Sequence, residues 1–252
     1  MRGRKSPRGL WSGRIPLNPE PGQRLKSVSS SPFEGLIVPI DKPAGLTSFD
    51  VVARIRHASG VKRVGHGGTL DPFATGVLVI GIGRSATRQL GELLKGDKEY
   101  LAQVVLGIET DTYDFTGRVV AQHKVEMPDA GSLDKVLVKF TGTIKQTPPP
   151  YSAVKVGGMR AYRSARRGEK PDLQPRAITI HQLNLIELNE TGFTIDIVCS
   201  HGTYIRSLAH DIGQALGCGA HLAALRRLRV GSYILEQSET LENFISRLRG
   251  VR

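Results

Sequence analysis

The sequence predicts a mixed α+β fold, and two observations carry that prediction. Short apolar runs bounded by Gly and Pro read as strands, and between them lie segments whose apolar residues recur every three to four positions. At 252 residues the chain is long enough to bury a full core, whether as one large domain or two small ones. No apolar run approaches the roughly 18 residues that a membrane span needs, so a soluble protein is expected.

Residues 1–33 are rich in Arg, Pro, Ser and Gly without apolar periodicity, which predicts a disordered basic tail. The composition also suits an organelle transit segment, but no amphipathic face emerges, leaving weak nonspecific attraction to RNA as its candidate role. Residues 35–40 then read as an apolar strand, Asp41 to Gly45 as a turn, and Ser48 as the candidate N-cap of a helix over residues 49–58, where Val51, Val52 and Ile55 recur at helical spacing. The run from Gly65 to Ala74 is a polar loop leading into a buried strand at 77–82. A helix over 86–94 closes at Gly96, and residues 98–107 alternate well enough for a strand that carries Tyr100 near its start.

Thr110 to Gly117 is a polar turn between two strands; its two aspartates lack the further ligands and closing Glu of a calcium loop. Residues 134–140 have a short helical pattern. The segment from Thr147 to Gly168 opens with three prolines, reverses at Gly157-Gly158, and carries Arg160, Arg163, Arg166 and Arg167 at spacings of three and four with Tyr162 among them. A helix over 160–167 would make this a basic stripe, either a solvated face or a phosphate grip with a stacking tyrosine. Residues 177–188 and 192–199 read as paired strands around the turn at Asn189 to Gly192. A helix follows through Leu208, Ile212 and Leu216 to Gly217, then a final strand at 230–235 and a short helix at 241–248.

The formal charge of +12 favours a polyanionic partner, although Arg2, Arg4, Lys5, Arg8, Arg14, Arg24 and Lys26 against Glu20 put half of it in the tail. Two cysteines, Cys199 and Cys218, argue against a disulfide framework and suit a reducing compartment. With His201 and His221 they offer four zinc ligands, but the spacing does not fit the usual knuckle, and no metal site is expected. No Walker loop follows a strand, and Gly81-Ile-Gly83 lacks the remaining glycine of a dinucleotide fingerprint.

The stretch Gly65-His-Gly-Gly-Thr-Leu-Asp-Pro-Phe-Ala-Thr-Gly-Val-Leu78 holds one carboxylate among glycines that let backbone approach a ligand closely. Pro72 biases Asp71 toward extended geometry. A tight turn with an ordinary turn aspartate has the same local pattern. The full stretch, however, closely resembles the signature of the TruB family of tRNA pseudouridine synthases. Three further runs resemble that family in order: Lys42 to Ser48, Gly202 to Leu208, and Gly217 to Arg227, so the likeness covers about residues 34–235. One departure is Gly67 or Gly68 where many relatives have Thr, a change expected to be silent.

The resemblance implies a pseudouridine synthase fold, with a central, largely antiparallel sheet flanked by helices in a single catalytic domain over residues 34–252. It implies that residues of about 145–172 form the family's RNA-gripping thumb. With few residues after Leu235, the further C-terminal RNA-binding domain common in the family is expected to be missing. The implied reaction isomerises uridine to pseudouridine in the T loop of tRNA, at position 55, and requires no cofactor. A cytoplasmic monomer binding the tRNA T arm, with no membrane and no obligatory protein partner, is expected.

Carried over residue by residue, the resemblance makes Asp71 the catalytic carboxylate and Arg206 its partner. A guanidinium beside a buried carboxylate favours its charged form. Asp71 then acts either as a nucleophile on base or sugar, or as a base on the sugar. Tyr100 is expected to stack on a flipped uracil, with Leu225 packing beside it. His66 would hold the opened RNA loop, Tyr204 would support the Asp71–Arg206 pair, Lys42 would buttress the site, and Arg160 and Arg163 would contact RNA.

Two rivals differ in class. A noncatalytic RNA-binding protein or chaperone would explain the charge but has no use for an aspartate locked beside an arginine. A glycoside or nucleoside hydrolase needs a second carboxylate, and no acidic residue lies within 20 positions of Asp71, so a partner would have to come from a distance.

Overall fold

In the first part of the chain, a strand β1 (Ile37–Lys42) leads to helix α1 (Ser48–Ser59), then to β2 (Val64–Gly67), β3 (Thr75–Ile82) and helix α2 (Gly83–Leu93). This computed structural model describes residues 31–93 and 95–251, which lie within one compact unit. Residues 1–30 of the expected tail lie outside the described residues. Phe33, assigned to that tail from composition, is instead buried in the core, because an aromatic ring this close to β1 has apolar surface to pack on.

The middle of the chain supplies β4 (Lys98–Leu106), β5 (Ile108–Thr110), β6 (Val119–Gln122), α3 (Ala130–Val138) and β7 (Gly142–Gln146). A small hairpin of β8 (Lys155–Val156) and β9 (Met159–Arg160) precedes helix α4 (Ala161–Ala165). The last part adds β10 (Arg176–Asn189), β11 (Gly192–Cys199), α5 (Ile205–Ala215), β12 (Ala220–Val230), β13 (Tyr233–Ile234), β14 (Glu239–Thr240) and α6 (Leu241–Gly250).

One sheet organises the described residues, in the order β14-β1-β3-β12-β4-β11-β10-β7, with β2 beside β3 and β13 beside β12. Its pairings are antiparallel except β1 with β14 and β3 with β12. The sheet is thus largely antiparallel, as the family likeness implies. Strand β3 is buried on both faces, which explains its near-continuous apolar run. Leu78, Ile80 and Ile82 join the main core with α1, α3, α5 and α6, whereas Val77 and Val79 meet Leu90 of α2 on the other side.

The parallel junction of β3 and β12 is unusually close. Gly76 has φ +100°, and a Cβ there would lie 2.1 Å from the Arg227 carbonyl oxygen. Only glycine fits, and the contact brings Arg227 against the Asp71 loop.

Four local expectations are corrected. Thr47, not Ser48, caps α1: its hydroxyl accepts from Asp50 N and the Asp50 carboxylate accepts from Thr47 N, a reciprocal capping box. Residues 64–67 form a strand paired with β3 and are not loop. The single strand expected at 230–235 is split by a turn: Val230 ends the much longer β12, Gly231 turns with φ +56°, and Tyr233–Ile234 come back as β13 against it. The basic helix expected over 160–167 is only Ala161–Ala165, because β9 occupies Arg160 and the chain leaves the helix before Gly168 at φ +78°.

Candidate active site

Asp71 sits on a turn between β2 and β3, and the peptides around it are held one after another. Arg227, 1 % exposed, donates from Nη2 to the Gly68 carbonyl at 3.1 Å, from Nη1 to that of Thr69 at 3.3 Å, and from Nε to that of Val77 at 2.7 Å. Ser48, freed from capping, accepts from Leu70 N at 2.9 Å and donates to Leu70 O at 3.2 Å. Lys42, with no exposed surface, donates to the carbonyls of Pro43, Leu46 and Pro72 at 2.8, 2.7 and 3.2 Å. Its ammonium is therefore spent on the loop and does not line the cavity. Burial pushes the Lys42 pKa down to about 8, partly opposed by the nearby Asp71 carboxylate.

Across from this loop, α5 begins by presenting Arg206, whose side chain is 6 % exposed. Its Nε and Nη2 donate to the two Asp71 carboxylate oxygens at 2.9 and 3.2 Å, a bidentate pair joining residues far apart in the chain. Two further N–H groups donate to Thr112 O at 2.9 Å and Tyr151 O at 3.1 Å. The start of α5 is itself tied down. The Gln146 side chain accepts from Tyr204 N at 2.8 Å and donates to Tyr204 O at 3.0 Å, and Ser207 Oγ donates to Thr147 O at 2.8 Å.

A second carboxylate does arrive from a distance. Asp114 Oδ2 lies 3.6 Å from Arg206 Nε. Asp114 is buried, and its Oδ1 accepts from Thr112 Oγ1, Thr116 N and Thr116 Oγ1 at 2.9, 3.0 and 2.5 Å. The cluster read from sequence as an ordinary turn is thus an Asp-centred hydrogen-bonded turn aimed at Arg206.

Asp71 and Arg206 border a cavity of about 390 Å³ that Tyr100, Leu225, Tyr204, Lys98, Arg227 and residues 151–153 also line. Strand register explains the grouping. In the β4–β12 pairing Tyr100 lies opposite Arg227 and Ala102 opposite Leu225, so alternate residues of both strands face one side. Burial raises the Tyr100 pKa, with the Arg227 guanidinium pulling the other way, and the hydroxyl stays protonated at neutral pH. Burial also raises that of Tyr204.

His66 does not line this cavity. It lies on β2, edge-on to exposed Phe49 at 5.9 Å between ring centres, and burial lowers its pKa below 6.5. Arg160 and Arg163 also stand off it: with Arg166 they lie around half-buried Tyr162, whose pKa falls chiefly through a hydrogen bond from Arg163. A neighbouring cleft of about 420 Å³ joins Asp71, Asp114 and Arg206 to Tyr151 and Arg166. Cys199 and Cys218 are free thiols, and His221 Nδ1 donates to Ile108 O at 3.0 Å; among the described residues no His, Cys, Asp and Glu side chains group as metal ligands.

Sequence reasoning passed over Arg227, Asp114, Gln146 and Tyr151. Arg227 stood inside a run matched to the family, yet its partners are backbone carbonyls, which no side-chain pattern reveals.

Residues 56–205 match the family model for the TruB family pseudouridylate synthase N-terminal domain, and residues 206–249 match that for the tRNA pseudouridylate synthase B C-terminal domain. The tRNA pseudouridine synthase B of Thermobifida fusca is 48 % identical over 83 % of this chain and 73 % of its own length. That of Syntrophotalea carbinolica is also 48 % identical, over 83 % of this chain and 68 % of its own. Among solved structures, the archaeal box H/ACA sRNP Nop10-Cbf5 complex aligns with a TM-score of 0.64 at 28 % identity, covering 86 % of this chain but only 54 % of that one. On these matches the chain belongs to the TruB family of tRNA pseudouridine synthases.

Proposed function

We propose that this chain isomerises uridine to pseudouridine in tRNA, at the T-loop uridine of position 55. The observation that carries the reading is the bidentate Asp71–Arg206 pair at the edge of a nucleoside-sized cavity walled by Tyr100 and Leu225. The reaction breaks the N1–C1′ bond, turns the base and rejoins it through C5; the C5 proton is lost and N1 gains one, so the product is an isomer of the substrate. Nothing is oxidised or reduced, and the chemistry asks for a carboxylate in a shaped, sheltered site.

A uridine in a folded loop must first be flipped out, at a cost on the order of a few kcal/mol that stacking and hydrogen bonds offset. Tyr100 and Leu225 receive the flipped uracil, with the Tyr100 hydroxyl available to move a proton late in the reaction. Asp71 attacks the base or the sugar, or removes a proton from the sugar; Arg206 fixes which way its oxygens point. Tyr204 contributes to the wall and, through its backbone, to the placement of Arg206. Lys42 acts by holding the loop, a positioning role. His66, beside exposed Phe49, helps hold the disrupted RNA loop open, and Arg160 and Arg163 take phosphates.

In this reading residues 34–252 act as the catalytic domain, with the thumb at about 145–172 closing on the T arm. The protein works as a cytoplasmic monomer without an obligatory protein partner. Among the described residues no helix is long and apolar enough to cross a membrane.

Tritium release from tRNA labelled at uridine C5 tests the reading. Wild type should release tritium, with pseudouridine mapped to the T loop, and Asp71→Ala should not. Tight tRNA binding without release would instead favour an RNA-binding protein, free uracil would favour a hydrolase, and equal release by both proteins would mean another carboxylate does the work.

A further inference from the structure

Tyr113 is the one non-glycine residue with positive φ among the described residues, at +63°. A bulky side chain rarely takes that conformation, and where one does the surroundings must hold it there. Its neighbours in the chain are the two groups of this turn that meet Arg206: the Thr112 carbonyl and the Asp114 carboxylate. The left-handed residue between them turns both toward one guanidinium.

What holds Tyr113 is a stack. Its ring lies on that of His210 with centres 3.9 Å apart and planes 5° from parallel. His210 follows Arg206 by one turn of α5 and so shares its face of the helix. One helix therefore grips the 112–114 turn twice, through Arg206 on the flanking groups and through His210 on the ring between them. Glu109 of β5 also stands close to His210. That carboxylate accepts from Gln214 Nε2 at 2.7 Å and contacts His123 Nε2 at 3.0 Å, and it stands 3.7 Å from His210 Nδ1. Burial lowers the His210 pKa, with Glu109 opposing, and raises that of Tyr113, with Asp211 and Glu109 adding to the rise, so the stack joins two neutral rings at neutral pH.

We propose that the Tyr113–His210 stack is a positioning device for the reaction: it holds the Thr112–Asp114 turn on Arg206, and so sets the orientation of Asp71. This deepens the proposed isomerase reading and rests on it for its kinetic readout. Neither ring lines the cavity, so neither is a catalytic residue. The competing account is that the stack only packs, and that backbone bonds from Tyr113 N to Thr110 O and from Leu222 N to Tyr113 O suffice to hold the turn.

The test compares His210→Ala and Tyr113→Ala, which remove the stack, with His210→Phe and Tyr113→Phe, which keep two facing rings. Both alanine variants should lose about tenfold in kcat on tRNA with KM within twofold, the double alanine variant should lose no more than either, and the phenylalanine variants should return to within threefold of wild type. In parallel, the NMR resonance of the Arg206 Nε–H should be slow to exchange in wild type and in the phenylalanine variants, and fast in the alanine variants. That second readout needs no turnover, so it decides the positioning role even if the wild-type protein forms no pseudouridine, an outcome that would overturn the isomerase reading alone. Unchanged Arg206 exchange in both alanine variants would overturn the inference. So would a kcat loss that phenylalanine does not rescue, or one that follows a fall in Tm.

Discussion

The loop that carries Asp71 and the segment that carries Arg160 and Arg163 are both rich in basic neighbours, but they use them in opposite ways. Around Asp71, the cations of Lys42, Arg227 and Arg206 are buried and hydrogen-bonded, each donating to two or more carbonyl or carboxylate oxygens. In the segment that carries Arg160 and Arg163, α4 has no side-chain cap, the hairpin before it turns through two glycines, and Arg160, Arg163 and Arg166 gather around one half-buried tyrosine. The first arrangement fixes geometry before substrate arrives; the second leaves charge available to a partner. Preorganised groups contribute to the transition state and adaptable ones to binding, so the two regions should separate in kinetics.

The largest expected effect lies at the centre of the rigid region. Asp71→Asn keeps the shape but removes the charge, and single-turnover pseudouridine formation should fall by at least about 10³-fold with tRNA affinity nearly intact. Arg206→Lys comes next. It retains a charge but cannot make the paired contacts to Asp71 or reach both carbonyls, and a kcat loss on the order of 10²-fold is expected with little change in KM. Should the loss fall in KM instead, the division between the two regions fails.

Arg227→Met sharpens the comparison through stability. It orphans carbonyls of the Asp71 loop in a buried place, and unfolding by denaturant should show a loss of about 3 kcal/mol, with activity per folded molecule reduced as well. Lys42 gives a pH signature. Its folded pKa, about 8, lies below the ordinary 10.5, so the unfolded chain binds more protons between those values. The cost of burying the ammonium is present below pH 8 and fades as pH rises toward 10.5. Stability measured at pH 7.5 and 9.5 should therefore contain a rising component that Lys42→Met lacks. The smallest effect belongs to the thumb: Arg163→Ala should raise KM about threefold at unchanged kcat and lower the slope of log affinity against log salt by just under one.

Much of this was legible in the sequence, for reasons that differ by element. The pairing of β10 and β11 follows from two strand-like runs around a Gly turn, and β3 from an apolar run too short for a membrane and bounded by glycines. The meeting of Asp71 with Arg206 was expected only through likeness to a family, since nothing local links residues on a turn and a helix so far apart. Strand β12 was not read as a strand at all. Its Ala, Leu and Arg residues favour helix, and two register shifts against β4 blur its alternation, so the sheet around it decides its conformation. Asp114 was set aside because a turn aspartate and a site aspartate have the same local pattern; only Arg206 beside it tells them apart.

The ties at the start of α5 also have a mechanical meaning. Gln146 ends β7, Thr147 follows it, and Tyr151 lies just beyond in the segment proposed as the thumb; each bonds to Tyr204, Ser207 or Arg206. The residues that follow β7 and the first turn of α5, which bears Arg206, are thus tied through three successive contacts. If that segment closes on RNA as proposed above, a pull on it would reach the guanidinium paired with Asp71, and the grip on the substrate and the aim of the carboxylate would be coupled.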